Sequence, residues 1–498
     1  MKHPLPSDNL SEIWQKRWPM PARHLDRLSI ADAAFLWQED RGTHAHIGWV
    51  MIADGPPPAY TALLKHVKAR LHLVPRYRQK LAFPPLQLAR PLWIDDPGFN
   101  LEYHVRHTAL PAPGSMEQLR ALVGRICSQG LDRSKPLWEL WLVQGLHDDR
   151  FAIINKGHRA LVDGLSGVDI TTVLFDTSAH PAPVPPPVRP WLPRPEPSPA
   201  ELIAAGIRDL VAAPLEVARR AWNALDDPEA ALAAAREVVQ GLSELAAAYL
   251  QPPSPTPLNV PLGTHRRVYW SRCRLADFKR IKDTFGGTIN DVYLTVVTGA
   301  LAAWLRLRGV RTRGLQLRAA VPISLRGDGQ SGTHIVECFA PLPVGMPDPV
   351  ERLRIVRHAL DDLKQSKQAL GARAIAALQD FTPPALLAQT SRLTLSSRLF
   401  NLVAANVPGP QFPLYLLGRE VVQIGPVGFL VEDCALMATL VSYNGMLEFG
   451  LIADADAVPD LDDLGDAIEN AVAELLEAAG RRRAPRRLHQ RRRKGSQK

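Results

Sequence analysis

Cysteine and aromatic residues are scarce in this chain: four Cys, and 6% Phe, Trp and Tyr, among 498 residues. Cys127, Cys273, Cys338 and Cys434 lie far apart, with no paired ligand spacing. That pattern excludes a disulfide framework and a Cys-built zinc site, and points to free thiols in a reducing cytosol. No uninterrupted apolar run is long enough to span a bilayer, and the opening MKHPLPSDNLSEIWQKRW lacks the apolar core of a signal peptide. Any membrane association is therefore expected to be peripheral. HExxH, the P-loop and clustered Cys/His sets are missing as well, so no metal and no bound cofactor is expected. Gly327, Gly329 and Gly332 do satisfy GxGxxG. The following HIVECFAPLPVG reads as a strand, however, not as the helix whose N-terminus would hold a pyrophosphate. Ser166 is no serine-hydrolase elbow, because Val168 takes the last position of GxSxG.

Acidic charge is absent from one end. The net charge is +9, yet Arg481 to Lys498 carries ten Lys or Arg and no Asp or Glu, so the remainder sums to about -1 (49 basic against 50 acidic). A tail this poor in apolar residues is expected to be disordered. Attraction to anionic headgroups, about 1 kcal/mol per basic residue at the surface, makes a membrane or lipid-droplet face its first expected partner. The body carries no nucleic-acid reading module, so only non-specific phosphate binding would compete.

A length of 498 residues favours two domains. From about 25 to 178 the pattern is mixed α/β, with strands at Ala45–Ile52, Leu140–Leu146 and Phe151–Lys156 and helices at Tyr60–Leu73 and Met116–Gln129. Ten prolines in the nineteen positions 181–199 then force an extended connector. Ala200–Leu250 is Ala-rich and helical, with Ile203, Ile207, Leu210 and Val211 on one face. A second α/β unit is expected at 258–479, with helices at Asn290–Trp304 and Pro349–Gln368 and strands at Leu315–Ile323, near Val421 and near Leu447. The whole division is 1–24, 25–178, 179–257, 258–479 and a tail at 480–498.

The most informative stretch is Phe151 to Asp169, FAIINKGHRALVDGLSGVD. An apolar strand runs up to His158, an Asp163-Gly164 turn follows, and Ser166 with Asp169 forms a capping-box pattern that starts a helix. A strand-to-helix corner of this kind can hold an imidazole on rigid structure where a substrate hydroxyl reaches it. Histidine suits acid and base work near neutral pH. The plainer alternative leaves His158 bonded to backbone, with Asp163 and Gly164 merely closing the turn.

HRALVDG resembles the HHxxxDG signature of CoA-dependent acyltransferases, and its context resembles the bacterial wax ester synthase/diacylglycerol acyltransferase family. LSIADAAFLWQE, VPRYRQKL, RPLWIDDPGFNLEYHVRH, KPLWELWLVQGL, GGTINDVYLTVVTGAL, LRAAVPISLR, NVPGPQFPLYLLG and FGLIADADAVPDL resemble family blocks in family order. The resemblance implies two chloramphenicol acetyltransferase-like domains of mixed α/β fold with a tunnel between them. It implies transfer of a long-chain acyl group from the co-substrate acyl-CoA to diacylglycerol or a fatty alcohol, at the cytoplasmic face of a membrane or lipid inclusion. It also implies a substrate-shaping role for Pro136, Leu137, Trp138 and Glu139, and a supporting role for Asn290 and Asp291.

One departure stands out. The family's second histidine, its general base, is Arg159 here. A guanidinium stays protonated, so it can hold an anion or steady an oxyanion but cannot take a proton. Losing a positioned base typically costs about 100- to 10,000-fold in rate. His158 could substitute only if the backbone turns it toward the tunnel. Asp163 would accept bonds and hold the corner in shape. Three outcomes stay open at this site: a slow transferase that uses His158 or an activated water, a transferase in which Arg159 holds a different, more acidic acceptor, and a catalytically silent acyl-CoA or lipid binder. Transfer to an amine or unusual alcohol also stays open, because tunnel walls choose the acceptor.

Overall fold

The computed structural model describes residues 25–40, 42–85, 89–161, 173–204, 236, 253–326, 333–365 and 399–483. Its strands in chain order are β1 (Asp26–Arg27), β2 (His46–Asp54), β3 (Gln79–Ala82), β4 (Leu92–Asp95), β5 (Val105–Ala109), β6 (Trp138–Leu146) and β7 (Arg150–His158). Then follow β8 (Arg266–Arg274), β9 (Leu317–Arg326), β10 (Thr333–Leu342), β11 (Leu402–Val407), β12 (Tyr415–Leu416), β13 (Arg419–Val427), β14 (Leu436–Tyr443) and β15 (Met446–Asp454). One six-stranded sheet has the order β12-β13-β2-β7-β6-β5, a second β10-β9-β11-β14-β15-β8, and β1-β4-β3 form a small third sheet.

The near-continuous apolar run of β7 follows from its place between β2 and β6, where both faces are covered. β2 starts at His46, and the helix expected from Tyr60 is α-helical to Arg70 before one 3-10 turn over Leu71–Leu73. Met116–Cys127 is helical and begins at a capping box between Ser115 and Gln118. In the second half the helix Ile289–Leu307 is hydrophobic on nearly every side, because it runs through the core under its sheet, with Val292, Val296, Ala300 and Trp304 buried. The expected helix at Pro349 runs to Gln365, and HIVECFAPLPVG supplies β10 as a strand. Gly327, Gly329, Gly332 and nearly all of Ala200–Leu250 lie outside the described residues. Among the described residues no single helix is long and apolar enough to cross a membrane.

The expected division at 258–479 needs one correction. β12 and β13, including the strand near Val421, belong to the first sheet: β13 pairs antiparallel with β2, from Val421 opposite Ala53 to Val427 opposite Gly48. A period of two tells which face of a strand is apolar, but not which sheet edge the strand will join. Val421 and Ile424 pack into the first core with Met51, Ala53 and Phe151. A further apolar layer joins the halves, in which Val50, Leu119, Val123 and Ile154 meet Val268, Trp270, Val427 and Ile452. Trp270 Nε1 donates to the Pro426 carbonyl at 3.0 Å, and Arg266 donates across to the Gly42 carbonyl.

Residues 181–198 of the proline-rich connector contain no helix or strand, and the connector lies against the small sheet. Arg194 donates to Asp95 Oδ2 from its amide (3.1 Å) and its Nε (3.2 Å), and the Arg78 guanidinium sits 4.5 Å from the centre of the Trp191 ring. Farther on, Leu202 is buried with Ala82, Leu92 and Ile94.

Candidate functional site

The end of β7 is held from three sides. The His158 amide donates to the Leu137 carbonyl (2.9 Å), the Arg159 amide to the Ala45 carbonyl (2.8 Å), and the Leu161 amide back to the His158 carbonyl (2.9 Å). The His158 ring is 1% exposed. Its Nδ1 accepts from the Ala160 amide at 3.0 Å, so the ring proton resides on Nε2. That nitrogen lies 3.0 Å from Glu39 Oε1, in close contact but without the alignment of a good hydrogen bond. Neither nitrogen therefore offers a lone pair to an acceptor hydroxyl. In this arrangement His158 supports the corner, and the expectation that it substitutes as base is not met. The backbone turns the ring inward because Ala160 and Leu161 close a tight turn on it.

Glu39 follows the helix Ile30–Gln38 and receives donors from separate segments. Oε1 accepts from the Ala45 amide at 2.9 Å and Oε2 from the Arg133 guanidinium at 2.7 Å. Burial by itself would raise its pKa. The contacts with His158, His46 and Arg133 outweigh that and hold the carboxyl far below the usual range. His46 lies directly opposite His158 in the β2–β7 ladder, with Nε2 3.7 Å from Glu39 Oε1. Its burial, with Lys156 nearby, pushes its pKa well down, so the ring is neutral.

His44 stacks on His46 with ring centres 5.1 Å apart, and Glu39, His44 and His46 bring potential ligand atoms within 4.8 Å of one another. The two rings stack at 15°, and each carboxylate oxygen already accepts a hydrogen bond, from Ala45 and from Arg133. Sequence reading missed this trio altogether. The signal available was His-x-His at a strand start, which puts both rings on one face.

Glu39 also lines a narrow cleft between the two halves, whose free volume of about 20 Å³ is that of a single water-sized space. Phe35, Thr43 and Ala45 wall it from the first half, and Phe429, Leu430 and Glu432 from the second. Phe35 and Phe429 meet edge to face across it, with ring centres 5.6 Å apart. The Arg159 guanidinium lies 5.5 Å from the centre of the Phe35 ring and 3.9 Å from Asp32. His158 is thus one side chain behind a cleft that both halves build, and Arg159 is beside that cleft.

The other expected site residues fall into two groups. Pro136 to Glu139 reach the corner as scaffold. The Leu137 carbonyl holds the His158 amide, while the Pro136 carbonyl accepts from Trp138. Trp138 is buried, donates to the Tyr77 carbonyl at 2.8 Å and stacks on His104 at 4.6 Å. Glu139 faces Arg106 at 3.1 Å and accepts from Trp141 at 3.0 Å. Asn290 and Asp291 lie in the first turn of the helix Ile289–Leu307. Asp291 closes a capping box there, accepting from the Thr288 amide at 2.6 Å. No hydrogen bond or ion pair among the described residues joins either to His158. Asp163, Gly164 and the Ser166 capping pattern lie outside the described residues.

Residues 28–293 match the wax ester synthase/diacylglycerol acyltransferase catalytic domain, and residues 331–476 match the WS/DGAT C-terminal domain. The chain belongs to the wax ester synthase/diacylglycerol acyltransferase family. The family is one of acyltransferases, and this member is an enzyme of that type. A probable diacylglycerol O-acyltransferase of Mycobacterium tuberculosis is 32% identical over 476 residues, covering 93% of this chain and 98% of that protein. The solved wax ester synthase/diacylglycerol acyltransferase from Marinobacter aquaeolei VT8 superposes with a TM-score of 0.64 at 26% identity, over 91% of this chain and all of that one. A trichothecene 15-O-acetyltransferase from Fusarium sporotrichioides, with a TM-score of 0.55 at 12% identity over 90% of this chain and 94% of that one, shares the fold alone.

Proposed function

We propose that this family member transfers a long-chain acyl group from acyl-CoA to the hydroxyl of diacylglycerol or a fatty alcohol. The acceptor oxygen attacks the thioester carbonyl, a tetrahedral oxyanion forms, and its collapse makes the ester while the CoA sulfur leaves as thiolate and takes up the hydroxyl proton. The observation that carries this reading is the cleft built by both halves, with Arg159 beside the apolar Phe35 wall. A fixed guanidinium beside that cleft suits a developing oxyanion. Arg159 takes no proton, so the rate is set by the missing base.

A second reading, a silent acyl-CoA or lipid binder, draws on the engagement of both His158 nitrogens. Incubating the full chain with radiolabelled long-chain acyl-CoA and a panel of diacylglycerol, alcohol and amine acceptors decides between them. Ester formation by wild type supports the transferase. Retention of label without transfer, with Arg159→His gaining activity, supports the binder.

We further propose that the chain works at the cytoplasmic face of an anionic membrane or lipid inclusion, engaged through the basic residues after Arg481. The free thiols of Cys127, Cys273 and Cys434 fit a reducing compartment. Pelleting with anionic liposomes, before and after removal of 484–498, tests the attachment, and undiminished pelleting of the shortened chain contradicts it.

A further inference from the structure

Four segments converge on one carboxylate: the end of the helix Ile30–Gln38 that carries Glu39, the lead-in to β2, the loop holding Arg133, and the end of β7. Glu39 Oε1 takes the Ala45 amide and faces His158 Nε2, while Oε2 takes Arg133, whose guanidinium also donates to the Leu36 carbonyl at 2.9 Å. Ala45 in turn accepts the Arg159 amide. The lead-in is itself braced, since Asp40 Oδ1 accepts from the amides of Gly42 (2.7 Å) and Thr43 (2.8 Å). A side chain that reaches the cleft wall is thereby tied to the backbone that aims Arg159.

We propose that Glu39 is a positioning residue for acyl transfer: its carboxylate, 3.0 Å from His158 Nε2, favours the Nε2–H tautomer and fixes the Ala45 frame that sets Arg159 beside the cleft. The proposal rests on the transferase reading for its kinetic consequence, but not for its structural one. The groups that face the carboxylate are donors: the Ala45 amide and the Arg133 guanidinium bond to it, and the His158 Nε2–H lies against it. An amide in the same place has one acceptor oxygen and one donor NH2, so it cannot serve both ends. Either Arg133 is released, or His158 must turn its lone pair toward the amide, which then forfeits the bond from the Ala160 amide.

The test uses full-length protein and the variants Glu39→Gln and Glu39→Asp. In 15N spectra of the imidazole nitrogens, compared with His158→Ala for assignment, wild type is expected to show a single Nε2–H form for His158. Glu39→Asp should keep it and Glu39→Gln should lose it. With long-chain acyl-CoA and the accepted alcohol, Glu39→Gln is expected to lower kcat about 100-fold, the scale of a misplaced reacting group, with KM changed less. Glu39→Asp should recover part of that loss. An unaltered His158 signature in Glu39→Gln overturns the proposal, as does an unaltered kcat in an active enzyme. If wild type transfers acyl groups to no acceptor, the transferase reading fails on its own and the spectra alone judge Glu39. Should Glu39→Gln fail to fold, Arg133→Gln, which frees one oxygen of the same carboxylate, supplies the same two readouts.

Discussion

The amide of Arg159 donates to the carbonyl of Ala45 at 2.8 Å, so backbone alone holds this residue beside the cleft, whatever its side chain. Arg159→His should therefore fold like wild type and place an imidazole where the guanidinium now lies. A positioned base is worth about 100- to 10,000-fold. Initial rates with long-chain acyl-CoA and diacylglycerol or hexadecanol should rise by at least about 100-fold. A variant that melts normally and gains nothing removes the idea that position 159 limits the rate.

Gly425 faces Trp270 where the halves meet. A Cβ on Gly425 would stand 2.6 Å from the indole ring, which is pinned by its bond to the Pro426 carbonyl. Gly425→Ala should cost about 1–3 kcal/mol through overpacking, read as a lower midpoint in urea. Adding Trp270→Leu should return part of the loss. Strict additivity of the two changes would show that the residues do not share this contact.

Glu448 gives the seam a pH dependence. The side chain is fully buried, with Arg272 Nε 2.9 Å from Oε1 and Gln423 donating to Oε2 at 3.1 Å. Burial outweighs both partners and pushes its pKa up to about 8. The folded state then holds a proton that the unfolded chain releases near pH 4.3, so this stability is complete at acid pH and is lost as the pH rises toward 8. Glu448→Gln should flatten that slope, leaving the variant more stable than wild type at pH 8.5, with the gap closing toward pH 5. Parallel melting curves across this window contradict the assignment.

Asp95 fastens the connector. Gln79 donates to Oδ1 at 3.0 Å, and Arg194 donates twice to Oδ2. Burial tends to raise its pKa, but these donors prevail and lower it. Asp95→Asn should leave the sheets folded while cleavage within 181–199 accelerates, since opening of this segment then costs less. Limited proteolysis by chymotrypsin, which can cut after Trp191, reads this directly, and an unchanged cleavage rate would mean that the remaining contacts suffice to hold the segment.

Much of the corner was legible in the chain. The apolar run Phe151 to Asn155 fixed the strand, and its length delivered His158 to a sheet end. The capping boxes Ser115–Gln118 and Thr288–Asp291 start their helices by local bonding alone. Glu39 was visible only as the last residue of a family-like block. Nothing local marks a glutamate that will be buried against histidines 119 and 7 positions away, because its partners are gathered by the β2–β7 register.

The amino-acid order by itself determined many of the element types, the family, the stiff connector and the inability of Arg159 to accept a proton, since these depend on side-chain chemistry and near neighbours. Only the tertiary structure decided that β13 joins the first sheet, that His158 turns its lone pair to its own backbone, and that Glu39 stands between that ring and the cleft. Those outcomes depend on which edges and buried charges meet across hundreds of residues, and such meetings are settled by packing and desolvation of the whole molecule.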